Sequence, residues 1–323
     1  MTQAAMSDTV AIAGRRSSPR GAGLDRWFEW GCAAAATMLL ATLGGILVSL
    51  AWGGAPAFAK FGLSFFTTST WDPVQGEFGI AALVVDTVLV AALALLLAVP
   101  IAFGVAFFLV ELCPSFLRRS IGIAVELLAG IPSIVYGMWG LFVFGPAFAK
   151  IIERPLMNAA PPGSIWDKLT QGVPNGTGIL AASIIVAMMI LPFIAATLRE
   201  LLLTVPPQVR ESAYGLGATT GEVVMNVTLP YVRRGAIGAV MLGLGRALGE
   251  TMAVTFIIGN AHNFPKSLFD EGATIASTIA NEFAEATSAM HTAALLASGF
   301  ILFVITFTVL AIARAMLGRP GNA

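Results

Sequence analysis

Arg246 and Glu250 are the only charges in an apolar stretch over residues 235–259. Arg246 lies twelve positions after Arg234, roughly 18 Å along a helix rising 1.5 Å per residue. That depth is near the middle of a hydrocarbon layer about 30 Å thick. A charge there is costly and marks a functional site by default. Arginine stays protonated, and its planar fork of five donors suits the oxygens of an oxyanion. Glu250 follows four residues later, on the same face of a continuous helix, where two side chains can meet. Two readings are open. In one, the pair is permanent and merely lets both charges exist in lipid. In the other, Arg246 receives an anionic substrate and Glu250 holds Arg246 while the path is empty. Glu250 would then also accept a proton-bearing oxygen, which a fully deprotonated anion lacks. Gly245 and Gly249 have the Gly-x-x-x-Gly spacing that lets another helix approach closely, which turns the Arg246 face toward an interface or pathway. Ser133 and Tyr136, beside Pro132, either supply hydroxyls near such a path or pack around the proline. Asp86 and Glu126 stand toward the ends of their apolar stretches, where snorkelling or local water lowers the cost. Glu126 is placed at a cytoplasmic vestibule, and neither residue is expected to touch substrate.

No other constellation supports chemistry. There is no Gly-Lys pair, hence no Walker loop to cradle phosphates, no His-Glu-x-x-His zinc site and no Gly-x-Ser-x-Gly elbow. His262 and His291 read as isolated and structural. Cys32 and Cys113 lack metal-ligand spacing and cannot build a disulfide framework. No catalytic residue and no metal ligand are therefore assigned. An intramembrane enzyme would need a nucleophile and base, or a metal cluster, and neither is visible.

The elements that must position Arg246 are membrane spans. The chain has 323 residues, 57% of them hydrophobic and 11% charged, against roughly 25% charged in a soluble domain. Eighteen basic residues balance 18 acidic ones, so the chain lacks the basic surface that nucleic acid recruits. Six stretches are long enough to span: 31–53, 79–110, 120–149, 177–198, 235–259 and 286–313. Pro100, Pro132 and Pro192 fall inside such stretches, where neighbouring helices re-satisfy the freed backbone. Twelve of the 18 basic residues, Arg118, Arg119, Arg233 and Arg234 among them, lie in segments that are cytoplasmic when the N-terminus is inside. The positive-inside bias therefore puts both termini in the cytoplasm. The first stretch is too long for a signal-peptide core and reads as an uncleaved span. Residues 1–26 form a polar, Arg-rich arm, 27–317 the membrane domain and 318–323 a cytoplasmic tail. Residues 150–176 read as turns on the outer surface, because of Pro161-Pro162-Gly163 and Pro174-Asn175-Gly176. Ile275, Ile279 and Phe283 mark an amphipathic helix, either a packed connector or part of an outer gate.

The loop 199–234 is the longest internal cytoplasmic segment. Pro206-Pro207 can start a helix through Tyr214, Gly215 and Gly217 allow a turn, and Thr219 with Glu222 forms a capping box for a second short helix. Pro230 is expected to end it. The result is a compact knob that a partner can grip.

Glu211-Ser212-Ala213, then Gly217, then Val227-Thr228-Leu229-Pro230 resembles the "EAA" loop of ABC importer permeases. Ser212 and Val227 depart from its usual Ala and Ile. In that family the loop docks into a groove on the ATPase subunit, which implies coupling roles for Glu211, Ser212, Ala213 and Gly217. Gly243 to Val254 and Ala129 to Gly137 resemble the fifth-span and third-span signatures of phosphate importer permeases, most closely the PstC type. The resemblance implies an all-α type I ABC importer permease (MetI-like) with six spans and a pathway at Arg246, Glu250, Ser133 and Tyr136. It implies as partners a PstA-like permease in a heterodimer, a PstB-like ATPase dimer, a PstS-like phosphate-binding protein, phosphate and membrane lipid. ATP and magnesium would sit on the ATPase, and this chain would bind no cofactor. A permease for phosphonate, sulfate or molybdate, and a subunit that only signals phosphate supply, are the alternatives.

Overall fold

The computed structural model describes residues 21–316. Residues 1–20 of the expected arm and the expected tail 318–323 lie outside the described residues. The chain divides into two units, one ending at Ser49 and the other starting at Leu50. In the first unit every described residue belongs to the helix α1, Gly21–Phe61. Helix thus begins before the expected boundary at residue 27. Trp27, Trp30, Leu39 and Leu40 are exposed, apolar surface that calls for lipid or protein around it. The most apolar 18-residue window within Arg26–Phe61 has a mean hydropathy of 2.0, as a span requires.

The second unit is built around two helices, α2 (Ala81–Leu112) and α5 (Ile179–Leu203). They form the most extensively packed pair in the molecule. Ala94, Ala98, Ala102 and Ala106 recur every four residues on α2 and are fully buried, in one core with Ile185, Met189, Ile190 and Ile194 of α5. That spacing keeps the alanines on a single face. In lipid, close packing of small side chains holds helices together, because the tails are as apolar as leucine. Of the most apolar stretch of α5, 67% is buried, against 28% for α2, so α5 is the centre of the unit.

The third apolar stretch is not one helix. It divides into α3 (Ser115–Ala129) and a longer α4 (Ser133–Ala159) at Gly130-Ile131-Pro132. Proline lacks an N–H and biases the residue before it away from helix. α3 is amphipathic, and α4 is the spanning helix. α4 continues well past residue 149, where turns were expected.

Among the described residues there are four π turns, and the one at Ala149–Glu153 lies in that continuation. They cover Phe108–Leu112, Gly140–Phe144, Ala149–Glu153 and Val224–Thr228. Each ends two residues before a proline: Pro114, Pro146, Pro155 and Pro230. A proline ring crowds the carbonyl four residues back and offers no donor to it. Widening the preceding turn to bonds spanning five residues, as from Gly145 N–H to the Gly140 carbonyl, shifts that carbonyl aside. At Pro114 the chain turns. At the other three prolines helix runs on.

The loop after α5 holds α6 (Pro207–Gly215) and α7 (Thr220–Val223). The π turn after α7 then leads into α8 (Leu229–Leu248). Pro230 therefore opens α8 and does not terminate the second loop helix. The fifth apolar stretch is also broken: α8 stops at Leu248 and α9 covers Met252–Ile257. Among the described residues five helices remain long and apolar enough to cross a membrane: α1, α2, α4, α5 and α11 (Ala289–Met316). α10 (Ile275–Glu282) is the expected amphipathic helix, and Ile275 through Thr278 are buried, so it packs as a connector. A two-stranded antiparallel ribbon pairs Trp71–Asp72 with Glu77–Phe78. Phe78 joins Ala57, Phe65, Ile80, Ile275 and Ala297 in a second apolar core.

Candidate functional site

Arg246 occupies the last turn of α8, and its side chain is exposed. Its guanidinium carbon lies 5.9 Å from the centre of the Phe193 ring on α5, at the outer limit of a cation–π contact. Glu250 does not meet it. The helix ends between the two residues, which removes the shared face that their spacing implied. Glu250 is 8% exposed, and its Oε1 accepts the Ala253 N–H at 3.2 Å, capping the start of α9. A carboxylate at that position answers both the free N–H groups and the positive end of a helix. Among the described residues no carboxylate lies within 4.0 Å of the Arg246 guanidinium.

The glycines also divide differently from the expected motif. A Cβ on Gly243 would stand 2.6 Å from Ile194, so Gly243 is where α8 closes on α5. A Cβ on Gly245 would make only ordinary contact with Leu310, at 3.6 Å, and on Gly249 it would meet nothing but the Gly245 carbonyl. The Arg246 face is thus left open beside small residues. Tyr136, on α4, lies within electrostatic reach of Arg246. Its hydroxyl donates to the Leu128 carbonyl at 3.1 Å, stapling the break between α3 and α4. Ser133 is half-buried at the first position of α4. Gly137 brings α4 against α9: a Cβ there would stand 2.9 Å from Phe256 and 3.0 Å from the Ala253 Cα. The structure therefore brings Arg246 and Tyr136 into one neighbourhood, and assigns Glu250 to the backbone of α9.

The knob has the expected form. Pro206 and Pro207 open α6. Glu211 and Ser212 are exposed and Ala213 is half-buried. Gly217 has φ +87°, a left-handed conformation that favours glycine. The Thr219 N–H donates to Glu222 Oε2 at 2.8 Å, and the Glu222 N–H donates to the Thr219 hydroxyl, completing the capping box. The Thr219 N–H and hydroxyl, both donating to Oε2, hold the Glu222 carboxyl below its ordinary range. Leu216, at the turn, is 89% exposed.

Several polar contacts were invisible to spacing arguments. Arg210 on α6 donates to Glu111 at the end of α2 at 2.8 Å, and Arg199 donates to Glu126 at 2.8 Å. Glu126 is thus paired at a helix end, without substrate geometry. Asp86 does not snorkel: it is 0% exposed, and its Oδ2 accepts the Ala273 N–H at 2.9 Å. Thr87 accepts the Ile275 N–H at 3.0 Å, so adjacent residues of α2 fix the start of α10. Glu153, 1% exposed, accepts the Gly176 N–H at 2.9 Å. His262 and His291 are not isolated. Both reach Glu282, with N···O distances of 3.3 and 2.8 Å, and the Trp71 indole N–H donates to the same carboxylate at 2.8 Å. Opposite charges existed in the sequence to suggest the arginine pairs, but separations of 73 and 99 residues gave no way to match them. No group of three His, Cys, Asp or Glu side chains suited to a metal ion occurs among the described residues.

Residues 98–319 match the family described as "Binding-protein-dependent transport system inner membrane component". A phosphate transport system permease protein PstC of Mesorhizobium japonicum is 53% identical over 289 residues, 88% of each chain. A PstC of Xylella fastidiosa is 48% identical over 300 residues, covering 93% of this chain and 92% of that one. PstC 1 of Mycobacterium tuberculosis is 39% identical and covers 80% of this chain and 82% of its own. Among solved structures, a bacterial ABC transporter for import of the polysaccharide alginate aligns with TM-score 0.58 at 16% identity, over 94% of this chain and 100% of that one. The inward-facing MetNI methionine ABC transporter aligns with TM-score 0.52 at 19% identity, over 74% and 98%. At such identities the structural likeness is one of fold. With most of its length matched and the knob, the broken fifth stretch and the spanning helices in place, the chain belongs to the family of binding-protein-dependent inner-membrane permeases, multi-pass all-α membrane proteins of the MetI-like fold.

Proposed function

We propose that this chain is the permease subunit of an ATP-driven importer of inorganic phosphate, forming the path and coupling it to a separate ATPase. The observation that carries the reading is identity of 53% and 48%, over nearly whole chains, to permeases named for phosphate transport. The geometry supports it chemically. Arg246 offers a guanidinium with no carboxylate partner among the described residues, on an open face, and a planar donor fork suits phosphate oxygens. Glycines beside it leave room for an anion. Ser133 and Tyr136 lie on α4, which packs against α9 just after Arg246; Ser133 has a hydroxyl to contribute, the Tyr136 hydroxyl proton is held by the Leu128 carbonyl, and Glu250 positions α9 through its backbone.

The knob serves as the ATPase grip, with Glu211, Ser212, Ala213 and Gly217 forming the docking helix and its turn. ATP and magnesium reside on the ATPase, and this chain carries no covalent chemistry. A second, PstA-like permease completes the path, a PstB-like ATPase dimer supplies the power stroke, and a PstS-like binding protein delivers phosphate from the far side. The knob and both termini face the cytoplasm, following the positive-inside bias.

Labelled phosphate uptake by the complete transporter in proteoliposomes tests the reading. Arg246→Ala is expected to lower uptake by about tenfold to a hundredfold, the loss of a charge-assisted contact, with assembly retained. Sulfate and molybdate in excess should leave wild-type uptake unchanged. Normal transport by assembled Arg246→Ala overturns the site. Stimulation of ATP hydrolysis by sulfate or molybdate, but not phosphate, overturns the substrate.

A further inference from the structure

We propose that Arg210 and Glu111 are the positioning pair through which the knob moves the membrane helices, a proposal that rests on the coupling function assigned above. No residue of α6 is buried. Its principal packing neighbours are α7 and the π turn Val224–Thr228, both within the same loop. Apolar packing therefore does little to tie α6 to the spans. Arg210 Nη1 meets Glu111 Oε1 at 2.8 Å, with side chains only 20% and 10% exposed. A short charge-assisted bond, shielded from water, is directional and resists separation in a way that an exposed pair does not.

The placement of each partner gives the bond a mechanical sense. Arg210 directly precedes Glu211 on α6, and successive helical residues point about 100° apart. Arg210 reaches back to the spans while Glu211 stands exposed for a partner. Glu111 lies in the π turn that ends α2. α2 in turn packs extensively against α5 and against α8, which carries Arg246. A chain of direct contacts thus runs from the exposed face of α6 through one ion pair into the two helices nearest the candidate substrate residue. Such a contiguous set of contacts can carry energetic coupling.

Arg199 and Glu126 provide an internal control. Their N···O distance is also 2.8 Å, but Glu126 is 53% exposed, Arg199 shares its charge with Glu200 at 3.2 Å, and neither belongs to the knob. The same charges at the same distance, without burial and without α6, should transmit nothing.

The experiment uses the complete transporter in proteoliposomes, with ATP hydrolysis and labelled phosphate uptake measured on the same sample. Glu111→Gln is expected to hydrolyse ATP while the ATP consumed per phosphate rises about tenfold, within the usual range of coupling between sites. The charge swap Glu111→Arg with Arg210→Glu should restore the ratio to within about threefold of wild type. Glu126→Gln should change it by less than about twofold. If Glu111→Gln fails to assemble, Arg210→Lys, which keeps the charge and loses the planar fork, is read in its place and should raise the ratio. An unchanged ratio in an assembled variant, or a swap no better than the single substitutions, overturns the proposal. A wild-type complex that moves no phosphate overturns the assigned function instead, and the pair is then judged by the same ratio for whichever anion stimulates the ATPase.

Discussion

Asp86 and Glu111 stand near opposite ends of α2, roughly 37 Å apart at 1.5 Å per residue, and they hold different kinds of partner. Asp86 accepts a backbone N–H from the start of α10 and is fully enclosed. At that end Glu153 likewise holds a loop by its backbone, and Glu282 gathers two histidines and an indole. At the other end, Glu111 and Glu126 each hold an arginine side chain. Carboxylates that accept backbone hydrogen bonds fix a chain conformation. Carboxylates that pair with long side chains join two bodies whose backbones stay free of each other. Among these carboxylates, elements at the Asp86 end are sewn together by backbone bonds beside the Glu282 side-chain cluster, and those at the Glu111 end are jointed by side chains alone, as a permease needs if an external motor is to move it from a single side.

The sharpest way to break this comparison is at Asp86. Asp86→Ala leaves the Ala273 N–H buried without an acceptor and is expected to cost about 1–3 kcal/mol of stability, read from denaturation of the purified permease in detergent. Asp86→Asn keeps an oxygen for that N–H and should cost less than half as much. Equal losses from both variants would show that the site needs a charge, and the distinction between the two ends would fail.

A smaller effect is expected at the jointed end. Gly217 has φ +87° at the turn of the knob, where a Cβ costs about 1–2 kcal/mol. Gly217→Ala should leave the unfolding of the spans unchanged, because the knob contributes little to the core. It should weaken association with the ATPase subunit by about 5–30-fold, the same energy expressed as an equilibrium. A large drop in permease stability with unaltered ATPase affinity would mean that the knob belongs to the rigid part of the molecule.

How far these regions were legible follows from how local their determinants are. The knob was readable nearly residue by residue, since Pro207, Gly217 and the Thr219–Glu222 box act within one turn of themselves. The depth of Arg246 needed only a count of residues. Glu250 was misplaced because its role depends on a helix break at Gly249, and that break depends on α9 docking against Gly137, over a hundred residues away in sequence. The prolines were visible, but their consequence was not. A proline that a π turn accommodates extends a helix where the residue type alone says stop. The Glu282 cluster joins three chain segments, and a lone histidine carries no mark of the carboxylate it will find.

Acidification separates the two ends by the order in which they loosen. Burial holds His262 below its ordinary value of 6.5, against the opposing pull of Glu282. The imidazole stacks on Trp71 with ring centres 5.8 Å apart, and Thr278 and Glu282 of α10 face its Nε2, with His291 across the same carboxylate. A group whose folded value is depressed contributes in full above its unfolded value, and that contribution is lost as pH falls through the folded one. The sewn end should therefore begin to loosen below about pH 6.5. Glu222, in the knob, has its carboxyl held below its ordinary value of 4.5 by the Thr219 N–H and hydroxyl. The same sign applies, so the knob keeps its cap until the pH falls below about 4.5. Amide hydrogen exchange, corrected for its intrinsic pH dependence, should show protection falling in residues 260–264 and 274–283 at about pH 5.5, with residues 207–223 unchanged. Replacing His262 with Gln should abolish the first change and leave the second. If the knob loosens first, or if both ends loosen together, the histidine–carboxylate cluster does not hold its end of the molecule closed.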